Sequence, residues 1–248
     1  MTGEPITRAW PDPDAGPLTD DELTRLYATG ADPTLRVNFV TSVDGAVDIG
    51  GYSAGLSSGP DKRVFGVLRM LCDALVVGAG TLRHEGYRAL RLDARRRAWR
   101  REHGRAEYPT LVVVSAGLEL DPDQAAFADA PVRPLVLTPA TAPAQRRARL
   151  APVADVLTVG DDRVDPTTML GVLRGRGLAQ LLCEGGPQLF GALSRADAVD
   201  ELCLTVSPVL AGPGAGRITS GAGGTAQPLT LRHILTAQGA LLLRYTRP

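Results

Sequence analysis

Apolar residues recur along the chain in two patterns. Short Val- and Leu-rich runs at residues 35–43, 74–77, 110–114, 132–137, 153–159, 179–183 and 201–206 read as strands, several of them continuous enough to be covered on both faces. Between them lie segments with apolar residues at helical spacing. Thr19-Asp20-Asp21-Glu22 is a capping box before Leu23, Leu26 and Tyr27, and Ser58 or Gly59 caps a helix that enters through Pro60 and buries Val64, Phe65, Val67, Leu68 and Leu71. Further helices are expected at 143–150, at 168–174 and from Pro187, where Leu189, Phe190 and Leu193 share a face. The last runs, 231–236 and 240–245, are joined too tightly for a crossover helix and should pair as an antiparallel hairpin. Strand–helix alternation with this ending predicts an α/β fold of three layers: a mostly parallel sheet with antiparallel C-terminal strands. The connections are short and no repeat is visible. One domain over 35–248 is expected, preceded by a 1–34 segment made of a loose Pro/Asp/Gly arm (1–17) and the short helix.

Chemistry in such a sheet collects at the carboxyl ends of the strands. Read in order, those ends are Asp44-Gly45, Gly78 to Thr81, Ser115, Thr138, Gly160 and Glu184-Gly185-Gly186. The last is the most informative. An apolar strand runs into an acid, two glycines and a proline-led helix, an arrangement that lets a phosphate approach the backbone and meet the free N–H groups of a helix start. A pyrophosphate is the expected occupant, with Glu184 beside it. Hydroxyls and glycines at the other ends suit a long cofactor lying across the sheet edge. No Ser-His-Asp or Cys-His arrangement offers a nucleophile. Neither G-x-G-x-x-G after the first strand nor a Walker-type loop is present, so this is not the Rossmann mode.

Composition narrows the partners. The 248 residues carry no net formal charge, which argues against nucleic acid and acidic membranes and leaves a small molecule as the partner. No apolar run approaches the ~20 residues that span a bilayer, no leader-like h-region opens the chain, and Cys72, Cys183 and Cys203 lie in or beside apolar runs without metal-ligand spacing. A cytoplasmic protein without a metal is expected. The arginine-dense cluster of Arg91 and Arg95 through Arg101 reads as a solvated helix face.

Four stretches, 40–45 (VTSVDG), 76–81 (VVGAGT), 183–187 (CEGGP) and 206–210 (VSPVL), in this order and evenly spread, resemble the pyrimidine reductase domain of riboflavin biosynthesis. The resemblance covers about 35–245. It implies a dihydrofolate-reductase-like fold and NADPH-dependent reduction of a ribosylamino-pyrimidine 5′-phosphate to its ribitylamino product. The zinc deaminase signature of bifunctional members is absent, so reduction alone is expected. By position, the resemblance puts Gly185, Gly186, Pro187, Gln188, Leu189 and Phe190 on the NADPH pyrophosphate. Gly78, Thr81 and Glu85 lie along the cofactor, Ser115 toward its 2′-phosphate, and Val40 and Gly55 near the nicotinamide. Asn38 (where many members have Lys), Ser53, Arg69, Arg91 and Glu184 fall to the substrate, the two arginines as its phosphate clamp. Glu184 and Asp44 are the candidate catalytic acids, with a turn role open for Asp44. Relatives are commonly homodimers through the C-terminal strands. Two alternatives remain: a dihydrofolate or pterin reductase, for which Asp61 is the helix-borne acid, and a non-catalytic NADP-binding protein.

Overall fold

The computed structural model describes residues 4–13 and 16–248, so the first three residues and residues 14 and 15 of the expected arm lie outside the described residues. In chain order the elements are β1 (Thr7–Trp10), α1 (Asp20–Tyr27), β2 (Thr34–Ser42), α2 (Gly59–Leu71), β3 (Ala74–Gly78), α3 (Ala79–His84), α4 (Ala94–Glu102), β4 (Thr110–Val114), α5 (Ala125–Ala128), β5 (Leu135–Thr138), α6 (Ala144–Leu150), β6 (Asp155–Thr158), α7 (Pro166–Gly175), β7 (Gln180–Cys183), α8 (Pro187–Arg195), β8 (Glu201–Ser207), β9 (Thr230–Ala237) and β10 (Ala240–Thr246). The start of α1 shows how local sequence sets them. Thr19 Oγ1 accepts from the Glu22 amide at 3.2 Å and Glu22 Oε2 accepts from the Thr19 amide at 2.7 Å, satisfying donors that a helix start leaves unpaired.

All ten strands form one sheet in the order β1-β9-β10-β8-β2-β7-β3-β4-β5-β6. From β8 to β6 every neighbouring pair is parallel, while β10 runs antiparallel to β8 and to β9, and β1 antiparallel to β9. One face is covered by α1–α6, through residues such as Leu23, Leu68, Leu82 and Leu150. The other is covered by α7 and α8, through Met169, Leu173, Phe190 and Leu193. Burying a side chain of this size stabilises by roughly 1.5–3 kcal/mol, so both layers contribute to the core.

Two expectations need correction. The arm is not loose over its described residues: Thr7–Trp10 adds a strand to the sheet, and Ile6 and Leu18 sit in the core. Nor is the arginine-dense stretch wholly a solvated face. Arg100 is 1% exposed and donates through Nη1 to the carbonyls of Met70 (2.8 Å) and Cys72 (2.5 Å) and through Nε to Ala106 O (2.6 Å). It satisfies carbonyl groups at the end of α2 that no further helical turn is there to meet.

The hairpin of β9 and β10 is interior to the sheet, with β1 outside it as the edge strand. Cross-strand register aligns Thr7, Thr236, Leu241 and Val206 in one row and Trp10, Ile234, Leu243 and Leu204 in the next. On this face Trp10 and Leu241 are exposed and the other apolar members only half-buried.

A buried polar cluster ties α1 to the strands. Glu201 accepts from Arg36 Nε at 2.5 Å and from Arg244 Nη2 at 2.8 Å, while Arg36 Nη2 donates to Tyr27 O at 2.6 Å. Burial pushes the Glu201 carboxyl up, but the Arg36 charge and the hydrogen bonds of both arginines outweigh it and hold it below its ordinary value. Beside this cluster His233 is 3% exposed, edge-on to Tyr27 with ring centroids 4.9 Å apart. Burial first, then the Arg244 charge, with Arg36 and Arg8 adding and Glu201 opposing, lowers its imidazole from 6.5 to about 4. An unfolded chain therefore takes up this proton near pH 6.5 and the folded chain only near pH 4. Stability from this group is complete above pH 6.5 and is lost as pH falls toward 4. Between pH 7 and 5 the loss amounts to about 2 kcal/mol. Urea denaturation at the two pH values should show it, and His233→Asn should remove most of the slope; an equal slope in the variant would refute the assignment.

Candidate active site

The carboxyl ends of β2, β7, β3 and β4 open into a cavity of about 1110 Å³. Its floor is the turn between β7 and α8. Gly78 N donates to Gly185 O at 2.7 Å and Glu184 N to Val76 O at 3.0 Å, drawing the turn onto β3. The Gly185–Gly186 peptide is cis, and Gly185 has φ +86°, a left-handed conformation that L side chains rarely adopt. A Cβ on Gly185 would come within 2.7 Å of the Phe39 ring, and one on Gly186 within 2.3 Å of Thr81 Oγ1. These glycines are set by close packing on both sides. Gly186 then caps α8 without a side-chain hydrogen bond and Pro187 occupies its first turn, so the leading N–H groups of the helix face the cavity at its positive end. This cradle, with the Thr81 and Ser115 side chains on the same wall, fits a pyrophosphate-containing cofactor.

Glu184, one residue before the glycines, is a buried acid of the site. Arg69 on α2 grips it with both arms of its fork, Nε to Oε1 at 2.7 Å and Nη2 to Oε2 at 2.6 Å, and Tyr87 Oη donates to Oε2 at 2.8 Å. The guanidinium also stacks on Phe65, 4.2 Å from the ring centroid. Burial works against the Arg69 charge, but Glu184's charge and hydrogen bonds overcome it and raise its pKa above the ordinary value. Burial, reinforced by the Glu184 charge, pushes the Tyr87 phenol well above 10, so it stays protonated and donating at neutral pH. The result is a carboxylate held in one orientation at the cavity wall, able to accept from ring N–H or amino groups.

Most other sequence-derived site residues line the same cavity: Asn38 and Val40 from β2, Ser53, Gly78, Thr81, Glu85, Ser115, and Pro187, Gln188 and Leu189 on α8. Glu85 lines it with its carboxylate engaged, Oε1 accepting from Ser53 N at 3.1 Å. Gly185 and Phe190 lie behind the wall, Phe190 stacked on Phe39 at 5.4 Å. Three residues are placed elsewhere. Arg91 points away and donates to Asp129 O at 2.8 Å, and Gly55 packs against Ile49. Asp44 stands outside as a loop anchor. It accepts from Ser42 Oγ and from the amides of Ala211 (3.1 Å) and Gly212 (2.8 Å), and these bonds, the serine's first, lower its carboxyl to about 2. The clamp assigned to Arg69 also needs revision, because its fork is taken up by Glu184. Sequence reasoning missed Tyr87, Arg88, Lys62 and Arg163, all on the cavity wall. For Lys62 a signal existed, since it shares a helix face with Phe65 and Arg69.

A mostly parallel α/β sheet with a glycine turn and an oriented acid at its carboxyl edge defines an α/β protein with a candidate cofactor site. The chain belongs to the RibD C-terminal domain family, whose profile matches residues 33–243. Over 181 residues it is 30% identical to the 2,5-diamino-6-ribosylamino-4(3H)-pyrimidinone 5′-phosphate reductase of Archaeoglobus fulgidus, covering 73% of this chain and 82% of that protein. With the reductase of the same name from Methanothermobacter thermautotrophicus identity is 29% over 181 residues, 73% and 80% of the two chains. Among solved structures, a pyrimidine reductase-like protein of Corynebacterium diphtheriae superposes with a TM-score of 0.84 at 26% identity, over 92% of this chain and 98% of that one. The deaminase/reductase of Thermotoga maritima shares the fold, with a TM-score of 0.66 at 18% identity over 92% of this chain and 60% of that longer one. The protein is thus an oxidoreductase of the riboflavin-pathway pyrimidine reductase family with a dihydrofolate-reductase-like fold. Among its described residues no helix is long and apolar enough to cross a membrane.

Because Glu184 is buried, removing its partner leaves a charge without compensation. Arg69→Met should lower unfolding free energy by about 3–5 kcal/mol, and the double variant Arg69→Met/Glu184→Leu should recover most of that. Denaturant titration of the four-member cycle checks it; additive losses would mean that the pair is not coupled.

Proposed function

We infer that the protein reduces a ribosylamino-pyrimidine 5′-phosphate to the ribitylamino compound with NADPH. The observation that carries this reading is the adjacency of the oriented Glu184 carboxylate to the glycine turn and α8, which sets a pyrimidine-binding acid next to a pyrophosphate cradle. The names of the relatives from Archaeoglobus fulgidus and Methanothermobacter thermautotrophicus support the substrate class. Residues Gly186 to Leu189 and Thr81 would hold the dinucleotide, and Ser115, with Arg163 lining the same cavity, would meet the adenosine 2′-phosphate that separates NADPH from NADH. When bound, the nicotinamide supplies a hydride. The chain's own residues bind and orient. Glu184 accepts from the pyrimidine, Arg69 and Tyr87 keep that carboxylate aimed through three hydrogen bonds, and Asn38 and Ser53 offer hydrogen bonds to the sugar. Holding the sugar carbon at the cofactor would supply most of the rate enhancement.

A second reading, reduction of dihydrofolate or another pterin, is favoured by Asp61. This acid is 7% exposed, lines the same cavity, and accepts from Ser57 Oγ at 2.5 Å. One assay separates the two. NADPH absorbance at 340 nm should fall with the phosphorylated ribosylaminopyrimidine and not with dihydrofolate, and Tyr87→Phe should raise the KM for the pyrimidine about tenfold through loss of one bond to a charged group, worth about 1.5–3 kcal/mol. Oxidation with dihydrofolate alone, abolished by Asp61→Asn, would replace the first reading with the second.

The same reading includes a homodimer. A second copy packing on the sheet face of Trp10, Ile234, Leu241 and Leu243 would cover apolar side chains that a monomer leaves in water. Light scattering should then give twice the chain's 26.1 kDa, and Leu241→Glu, at a position already exposed, should reduce it to one copy.

A further inference from the structure

Six basic side chains line the cavity, and three of them are already engaged. Arg69 is closed on Glu184, Arg83 donates through Nη1 to Glu119 O at 2.6 Å, and His84 shares a 2.5 Å hydrogen bond with Gly51 O while stacking on Tyr52. Lys62, Arg88 and Arg163 also line it, and among the described residues these three have no hydrogen-bond or ion-pair partner.

Position divides them. Arg163 comes from the loop between β6 and α7, at the far edge of the sheet from α2. Lys62 lies in the first turn of α2, three residues before Phe65 and seven before Arg69, spacings that put all three on one stripe of the helix. That stripe runs from the buried Arg69–Glu184 pair outward to an exposed ammonium. Arg88, just after Tyr87, is the remaining unengaged cation on this side. Composition singles out Lys62 as well: it is the one lysine among 27 basic residues. A lysine ammonium is a compact charge on a flexible stem with three donors, suited to a phosphate presented from solvent rather than to the planar fork contacts that arginines make elsewhere in this chain.

We propose that Lys62 anchors the 5′-phosphate of the substrate, the task that Arg69 gives up by holding Glu184. This rests on the reading that the substrate is a phosphorylated ribosylaminopyrimidine. Ring and phosphate are then read from one helix stripe, the ring through Arg69 and Glu184 at its inner end and the phosphate through Lys62 at its mouth.

The test compares the full chain with Lys62→Gln and Lys62→Arg in two assays. In the first, KM is measured for the phosphorylated ribosylaminopyrimidine and for the same nucleoside without phosphate. In the second, ribose 5-phosphate binding to the NADP⁺-loaded protein is measured by calorimetry. Lys62→Gln should raise KM for the phosphorylated compound about tenfold more than for the phosphate-free one and weaken ribose 5-phosphate to a similar degree, with Lys62→Arg recovering much of both. Circular dichroism and NADP⁺ binding report whether the variants are folded. An equal rise for both compounds, no rise, or wild-type protein that does not bind ribose 5-phosphate would overturn the anchor. Wild-type protein that fails to reduce the pyrimidine yet loses ribose 5-phosphate affinity on Lys62→Gln would uphold the anchor and remove the proposed reaction.

Discussion

A carboxylate taken out of water has to find its donors inside the protein. Glu184 finds three, two from one arginine and one from a phenol, and these come from α2 and from the segment after α3. Meeting that requirement draws three separate parts of the chain to a single point at the end of β7. The glycines that follow can then turn tightly under Phe39 and Thr81, and α8 can start with its N–H groups toward the cavity. Cradle and acid are consequences of one constraint.

Much of this was legible in the sequence, for identifiable reasons. The strands of the parallel half are continuous apolar runs and the main helices carry strong caps, so local pattern and final fold agree. The turn at Glu184-Gly185-Gly186 announced itself because only residues without a Cβ fit there. Resemblance then supplied a set of cavity residues, most of which line one space.

What escaped depends on contacts between distant residues. Nothing near Arg69 in sequence says that its fork will close on an acid 115 positions later. Along 85–93 the backbone has no regular period to tell which arginine faces inward, and the resemblance points to Arg91 where Arg88 lines the wall. Arg100 sits in a run of charges yet spends its donors on backbone carbonyls of another helix, an acceptor set that carries no sequence signature. Asp44-Gly45 looked equally like a turn and a strand-end acid, and the amides of Ala211 and Gly212 decided for the turn.

The edge strand has a temporal consequence. Thr7 and Thr236 share a hydrogen bond across 229 positions of chain, so β1 is synthesised long before its sheet partner β9. The parallel half can assemble while synthesis continues, but the antiparallel end waits for the final hairpin. Loop closure over such a length adds only a slowly growing entropic cost, yet it makes the pairing of β1 with β9 a late event in folding. β1 and the hairpin of β9 and β10 thus complete the sheet together, as a latch between segments far apart in sequence.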